Sequence, residues 1–298
     1  MPFTLALASA LLSATPTATS PLEVLPSGHP VVEVSIDGSA PRRFVIDTAA
    51  STTTILPQLR KQMPGLIAKK DTQPLNGASG ATAVEMSKIG RLAVDGRSFS
   101  NIDMILLPPS PVDGLGVDGI LGADLIADFA VEMDMPGRRW RMTPQSDAKM
   151  LERLTASVPF VLDNARAPRL TIRLNGVEVP AVLDTGARGT ILNWAAARAI
   201  GISPEAPGVV SASEVKGASS HATASVKTRL ASLAMGTAVV TTPEVRIADL
   251  SVFQVIGFKT DQPAVILGID MFANRRFVID HPGGRLYIAD PVAATPAG

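Results

Sequence analysis

Two short segments of the sequence each place one aspartate directly after apolar residues and directly before a turn of small residues. The first is FVIDTAASTTTIL, residues 44–56 with Asp47, and the second is AVLDTGARGTIL, residues 181–192 with Asp184. A carboxylate at the end of a buried strand is costly unless it is paired, hydrogen-bonded or used in a reaction. The repetition of the pattern suggests that Asp47 and Asp184 share one site.

Two carboxyl groups in one site can divide acid and base catalysis between them. When they lie about 3 Å apart they cannot both ionise, so they share one proton and their pKa values separate. The ionised group can take a proton from a water molecule while the neutral group donates a proton to a carbonyl oxygen. This chemistry requires no metal or cofactor, and the sequence does not indicate which aspartate holds the proton.

Both segments belong to a longer internal repeat. GAS at residues 77–79 recurs at residues 217–219, and DGILGADL from Asp118 recurs as AVILGIDM from Ala264. The spacing between corresponding positions increases from 137 to 146 residues along the chain, as short insertions would produce. The chain is therefore predicted to contain two similar halves.

Strand patterns dominate each half. VVEVSI (residues 31–36) and LTIRL (residues 170–174) alternate, and the turn dipeptides DG (residues 37–38) and NG (residues 175–176) follow them. In each half, the strand that follows this turn ends at the aspartate.

Helical patterns are short. Helices are predicted at residues 57–62, 124–129 and 193–200, the last with Asn193 as its N-cap. The segment at residues 143–159 breaks the strand pattern and is expected to link the halves through one or two helical turns.

The predicted organisation is a signal peptide at residues 1–20, a first lobe at 21–145, a linker at 146–158 and a second lobe at 159–292.

The paired Asp-Thr-[Gly/Ala]-Ala motifs resemble retropepsin-type aspartic proteases. An apolar-apolar-Gly segment follows each motif, at residues 120–122 and 266–268, and the resemblance spans about residues 28–290. One such motif would be weak evidence for the family. Two motifs in register, each followed by its apolar-apolar-Gly segment, are specific evidence. The resemblance implies an all-β fold of two pseudo-symmetric closed β-barrel lobes with a few short helices.

The resemblance also implies an activity and a partner. Asp47 and Asp184 would be the catalytic pair of an aspartic-type endopeptidase that hydrolyses peptide bonds in an extended peptide or protein. Because the two halves lie in one chain, a monomer would suffice in place of the usual homodimer. The alternative is a retropepsin-fold peptide-binding module with weak or no catalysis.

Supporting roles follow for the residues beside each aspartate. Thr48 and Thr185 would cross-link the two loops through buried hydroxyls, and Gly186 would allow close approach of the backbone. The first motif departs from the family pattern at Ala49, which is costly only if its φ is positive. Arg188 follows in the second half, and we expect it to point outward to solvent.

A glycine-rich segment follows each aspartate where the family places the hairpin that closes over the substrate. The expected flap residues are Gly77, Ala78, Ser79 and Gly80 in the first half and Gly217, Ala218 and Ser219 in the second. A flexible tip there could exclude water, although an ordinary surface turn remains the alternative. The single tyrosine, Tyr287, lies outside both segments, which favours the retropepsin branch over pepsin-like enzymes.

Two further aspartates recur, Asp124 and Asp270, each just after the glycine of an apolar-apolar-Gly segment. We expect them to be N-caps or first-turn acids of short helices, outside the catalytic site.

Composition excludes several other classes. The 27 basic residues balance 27 acidic ones, so no surface for nucleic acid is expected, and the absence of cysteine excludes thiol chemistry. The three histidines, His29, His221 and His281, lack ligand-like spacing and are expected at the surface or in loops, so no metal site is predicted. Residues 114–119 match G-x-G-x-x-G, but no long amphipathic helix follows, so a nicotinamide enzyme is not favoured.

The N-terminus resembles an export signal. An apolar run at residues 3–14 precedes small residues at 16–18, and it is too short to span a bilayer. No basic residue precedes the run, which leaves a surface-packed leader or a misassigned start as alternatives. The pattern predicts an exported protein, periplasmic or secreted, without a membrane span.

Overall fold

The structure is a computed structural model and describes residues 18–66, 68–77, 80–216 and 222–293. The predicted signal peptide therefore lies almost wholly outside the described residues. Among the residues that are described, no helix is long and apolar enough to cross a membrane.

Strands are the main regular secondary structure and helices are few and short, so the all-β prediction is confirmed. The first half contains β1 (Ser20–Pro21), β2 (Glu23–Val24), β3 (Pro30–Ile36), β4 (Arg42–Ile46), β5 (Thr54–Ile55), β6 (Ala68–Gly77), β7 (Gly80–Val94), β8 (Arg97–Leu106), β9 (Gly119–Leu121), β10 (Ala130–Asp134) and β11 (Arg139–Thr143). The second half contains β12 (Ala156–Leu162), β13 (Pro168–Leu174), β14 (Val177–Leu183), β15 (Ile191–Leu192), β16 (Val210–Lys216), β17 (Ala222–Arg229), β18 (Ser232–Met235), β19 (Ala238–Thr241), β20 (Glu244–Ile247), β21 (Val265–Leu267), β22 (Arg276–Asp280) and β23 (Arg285–Ile288).

The helices are short. They are α1 (Pro57–Gln62), α2 (Ala123–Ile126), α3 (Ala148–Leu151), α4 (Trp194–Ala199) and α5 (Val252–Val255), with 3-10 turns at Pro111–Leu115 and Ile269–Phe272. Asn193 caps α4 as predicted, because its Oδ1 accepts a hydrogen bond from the Ala196 amide at 2.8 Å. Helix α2 ends three residues earlier than predicted, since the chain enters β10 soon after it. The expected linker contains α3, and its last residues already form the start of β12.

The first lobe is a closed six-stranded barrel. Its strands follow the order β3, β4, β9, β5, β8 and β7, and β7 returns to pair with β3. The turn between β3 and β4 begins at Asp37 and Gly38, whose φ angles of 48° and 78° are both positive. A turn of that handedness matches the twist of the two strands, which explains the Asp-Gly dipeptide.

The second lobe repeats this order with two interruptions. Strands β13, β14, β21, β15, β20 and β17 correspond to the six of the first barrel, but β18 makes the return contact to β13. The long strands β7 and β8 are each replaced by a broken pair, β17 with β18 and β19 with β20. One break falls at Thr242 and Pro243, where Thr242 has a φ of 48° and Pro243 has no amide hydrogen to donate.

A six-stranded antiparallel sheet joins the two lobes. Its order is β1, β11, β10, β22, β23 and β12, and β10 from the first half pairs with β22 from the second over five residues. Glu132 on β10 accepts hydrogen bonds from Arg141 and from Arg276, and this acid and Arg141 are buried. Apolar side chains such as Trp140 and Phe277 belong to one core that continues across the sheet. The lobes are therefore held together at their base, and the loops with the aspartates meet above it.

Candidate active site

Each lobe delivers its aspartate by the same arrangement of strands. Strand β4 pairs in parallel with β9, and β14 pairs in parallel with β21. The Asp47 amide donates to the Leu121 carbonyl at 3.0 Å, and the Asp184 amide donates to the Leu267 carbonyl at 3.0 Å. The apolar-apolar-Gly segments thus fix the start of both aspartate loops.

Four hydrogen bonds connect the two loops through Thr48 and Thr185. The Thr48 hydroxyl donates to the Leu183 carbonyl at 2.8 Å, and the Thr185 hydroxyl donates to the Ile46 carbonyl at 2.7 Å. Each hydroxyl also accepts from the opposite threonine amide, at 3.2 Å and 3.1 Å. Both threonines are fully buried, so each hydroxyl is needed to satisfy backbone groups of the other lobe.

The two carboxyl groups lie side by side at a cavity of about 930 Å³ that both aspartates line. Each carboxyl group shifts the pKa of the other through a side-chain interaction, so the two groups lie in contact. A Cβ added at Gly186 would lie 2.3 Å from Asp47 Oδ2, which is far inside van der Waals contact. The loop that carries Asp184 therefore packs its backbone against the Asp47 carboxyl group, and only glycine leaves room for it.

The environments of the two acids differ. Asp47 Oδ1 accepts hydrogen bonds from the Ala49 and Ala50 amides, both at 2.9 Å. The amides of Gly186 and Ala187 lie near Asp184, yet its buried Oδ1 meets no donor with good hydrogen-bond geometry among the described residues. The first aspartate is consequently the better site for a negative charge.

Burial raises the pKa of both carboxyl groups because water no longer solvates the ionised form. For Asp47, the two backbone amides, the Asp184 side chain and His29 partly offset this increase in pKa. For Asp184, the adjacent negative charge of Asp47 adds to desolvation, so its pKa lies well above the ordinary value. The pair therefore favours a proton on Asp184 and a charge on Asp47.

Ala49 fits the first loop without backbone strain. It is absent from the described residues with positive φ, and its methyl group packs beside an apolar cluster of the second lobe that contains Val182 and Ile266. The departure from glycine is therefore compatible with the loop conformation.

Arg188 is exposed, as expected, but it lies on the cavity side of the loop. No ion pair involves it in the described part of the chain. At the corresponding position of the first loop, five residues after the end of β4, the residue is the uncharged Ser51. Among the described residues that line the cavity, the arginines and lysine are Arg188, Lys216 and Arg246, and all three belong to the second lobe.

The predicted flap segments belong to hairpins that flank the cavity. In the first lobe Gly77 at the end of β6 pairs with Gly80 at the start of β7, and in the second lobe Lys216 pairs with Ala222. Leu75 and Lys216 line the cavity. The other expected flap residues, Ala78, Ser79, Gly217, Ala218 and Ser219, lie outside the described residues.

Asp124 and Asp270 lie in the first turns of α2 and the second 3-10 helix, but they are not N-caps. The N-cap positions are Gly122 and Gly268. Instead, Asp124 accepts from the Thr53 hydroxyl at 2.7 Å and from the Thr53 amide at 2.9 Å. Burial raises the pKa of Asp124 and of Asp270.

The second lobe repeats this contact with Thr190. Asp270 accepts from the Thr190 hydroxyl at 2.9 Å and from the Thr190 amide at 3.0 Å, and that hydroxyl accepts from the Gly268 amide at 3.1 Å. These pairs close each aspartate loop at its far end. The sequence contained the signal, since a threonine stands six residues after each catalytic candidate, at Thr53 and Thr190.

His29 and His281 both lie in loops between strands, and both are buried, whereas His221 lies outside the described residues. His29 lines the cavity, and its Nε2 is 3.0 Å from the Gly186 carbonyl oxygen. His281 lies beside the sheet between the lobes and bonds the Phe129 carbonyl through Nδ1 at 2.7 Å. Within the described ranges, no group of three or more acidic or histidine side chains could hold a metal ion.

A family model described as aspartyl protease matches the chain twice, at residues 32–125 and 170–271. The chain belongs to the aspartyl protease family. The two matches of this protease family cover well over half of the chain, and each contains one of the two aspartates. No match to a curated protein was found.

Proposed function

We propose that the protein is an aspartic endopeptidase in which Asp47 and Asp184 form one catalytic dyad shared between the two lobes. The observation that carries the proposal is the direct contact of the two carboxyl groups at the cavity, with Gly186 of one loop packed against Asp47 of the other. Membership of the aspartyl protease family supports the same reaction class.

In the proposed mechanism the two acids have different starting roles. Asp47, which accepts two amide hydrogen bonds, is the ionised group and removes a proton from the attacking water. Asp184, whose pKa is raised further, is the neutral group and donates its proton to the oxygen of the scissile carbonyl. The tetrahedral intermediate then collapses when a proton reaches the leaving nitrogen from the dyad.

The proposed substrate is an extended peptide segment of a protein. Apolar side chains line both sides of the cavity, including Val112 and Leu115 in the first lobe and Val245 and Leu250 in the second. Strand hairpins flank it and offer backbone groups to which an extended peptide can add hydrogen bonds.

The decisive experiment compares Asp47→Asn and Asp184→Asn with Asp261→Asn, an exposed acid away from the cavity. Digestion of a peptide library should stop in the first two variants, which should keep the wild-type melting temperature, and should continue unchanged in the third. Cleavage at near wild-type rates by either dyad variant would refute the shared dyad.

The pH profile provides an independent measurement. Activity requires one proton on the pair, so kcat/KM should fall when pH drops through the lower pKa of the pair and again when it rises through the upper pKa. Because burial and the charge of Asp47 raise the pKa of Asp184, the alkaline limb should lie above the ordinary aspartate range.

A peptide-binding module without catalysis is the alternative to be tested. A working dyad should bind a statine-type transition-state mimic far more tightly than the matching substrate peptide, and a binding module should not distinguish the two.

We also propose that the protein is exported and that it functions as a monomer. N-terminal sequencing of the mature protein and light scattering in solution test these two points.

A further inference from the structure

His29 is held in a tight loop between β2 and β3. Its carbonyl accepts from the Leu25 amide at 3.0 Å, and the Gly28 amide donates to the Leu25 carbonyl at 2.8 Å. Gly28 has a φ of 90°, a backbone conformation that residues other than glycine rarely adopt. These two hydrogen bonds and the glycine conformation therefore hold the backbone of this loop in place. The loop directs the imidazole toward the second lobe.

The imidazole bridges the lobes with both of its nitrogens used. Nδ1 lies 2.8 Å from the Ser27 hydroxyl oxygen, and Nε2 lies 3.0 Å from the Gly186 carbonyl oxygen. A carbonyl oxygen can only accept, so Nε2 must carry the hydrogen. In the neutral ring Nδ1 then accepts from Ser27, which fixes the tautomer.

The neutral form is the one that the surroundings favour. Burial lowers the pKa of His29 and the charge of Arg188 lowers it further, while the Gly186 carbonyl and the charge of Asp47 act in the opposite direction. Only 5% of the residue is exposed, so the ring has little access to water.

The hydrogen bond to Gly186 matters because of where Gly186 lies. Its backbone is packed directly against the Asp47 carboxyl group, and it follows Asp184 by two residues. A displacement of the Gly186 peptide would change both the separation of the two carboxyl groups and the direction of the Asp184 side chain. One imidazole of the first lobe therefore anchors the loop of the second lobe at its contact with the first aspartate.

The internal repeat provides no reciprocal contact. Strands β3 and β13 both begin with proline, at Pro30 and Pro168, and the residue before Pro168 is Ala167. Ala167 is buried in an apolar cluster and its side chain has no donor. The anchor is thus present on one side of the pseudo-symmetric site only.

We propose that His29 is a positioning residue that holds the Gly186 peptide through Nε2 and thereby sets the geometry of the dyad in one fixed, asymmetric arrangement. This inference rests on the proposed endopeptidase function. His29 does not transfer a proton to the substrate in this role, because its Nε2 hydrogen is committed to the Gly186 carbonyl.

The test compares His29→Ala and His29→Gln with the wild type and with Asp184→Asn. His29→Ala removes the donor, whereas the amide of His29→Gln can place a donor near the Nε2 position without a titratable ring. We expect His29→Ala to lower kcat at least about tenfold with KM changed by less than about twofold, since loss of alignment acts mainly on the chemical step. His29→Gln should recover most of kcat and keep the wild-type pH profile.

A second measurement does not depend on turnover. Calorimetric titration with a statine-type inhibitor should show about tenfold weaker binding to His29→Ala than to the wild type, with recovery in His29→Gln. Melting temperatures should show that all variants are folded at the assay temperature.

The outcomes separate the two proposals. If the wild type shows cleavage that Asp184→Asn abolishes, but His29→Ala matches the wild type in kcat and inhibitor affinity, the positioning role is wrong. Equal losses in His29→Ala and His29→Gln would also overturn it, because the donor would then not be what matters. If the wild type neither cleaves peptides nor binds the inhibitor, the proposed function fails and the positioning role fails with it.

Discussion

Replacement of Gly186 by alanine is the sharpest test of the close approach between the two loops. The added Cβ would lie 2.3 Å from Asp47 Oδ2 and 2.4 Å from Asp47 Cγ. The obstacle is therefore the proposed catalytic carboxyl group itself. The φ of Gly186 is not positive, so the alanine backbone is unstrained and the steric contact alone is tested.

The expected effect follows from the distance. Cβ contacts below 3.0 Å essentially do not occur, and ordinary contact begins near 3.4 Å, so the two groups must separate by about 1 Å. A misplacement of about 1 Å in a reacting group can cost about 100-fold in rate. Overpacking at a tight site costs about 1–3 kcal/mol of stability. We expect Gly186→Ala to stay folded and to lose about 100-fold in kcat/KM.

The matched control is Ala49→Gly, the same exchange in the opposite direction at the equivalent position of the first loop. Ala49 has an ordinary φ and packs beside apolar side chains, so loss of its methyl group should leave kcat/KM within about threefold and lower stability slightly. Initial rates on a fluorogenic peptide, together with melting temperatures, measure both variants.

Wild-type activity in folded Gly186→Ala would contradict this reasoning. It would mean that the Asp47 carboxyl group moves aside freely or takes no part in the reaction. A large loss of activity in folded Ala49→Gly would show that the methyl group of the first loop has a role that its contacts do not explain.

Three further predictions concern the contacts that join the lobes. Thr185→Val should lower the free energy of unfolding by about 1–3 kcal/mol in urea denaturation, because the Ile46 carbonyl and the Thr48 amide lose their partner, whereas Thr185→Ser should lose less. Glu132→Gln should cost about 3 kcal/mol in the same assay, since the buried Arg141 loses its close ion pair and keeps Asp147, at 3.9 Å, as a more distant acidic partner; an unchanged midpoint would rule this out. Burial lowers the pKa of His281 to about 4, below its unfolded value of about 6.5, so the folded protein binds fewer protons between these pH values and loses stability as pH falls across that range. His281→Asn should remove this loss, up to about 3 kcal/mol, in melting curves at pH 7 and pH 4.5, and an identical pH dependence in both proteins would argue against it.

The sequence by itself determined the local elements and the duplication. Alternation with a period of two, the Asp-Gly and Asn-Gly turns and the Asn193 cap depend on neighbouring residues, so they can be recognised in a linear pattern. The repeated Asp-Thr motifs also predicted that Asp47 and Asp184 lie close together, because two similar halves related by symmetry bring equivalent loops together.

Only the tertiary structure decided how the two halves differ. The bond of His29 to Gly186 and the effect of the Asp47 charge on Asp184 arise from contacts between residues more than one hundred positions apart, for which a linear pattern carries no signal. The same holds for the sheet between the lobes, where β10 of the first half pairs with β22 of the second half. Long-range packing sets the solvation and the hydrogen-bond partners of each side chain, and these quantities separate the pKa values of two aspartates in nearly identical sequences.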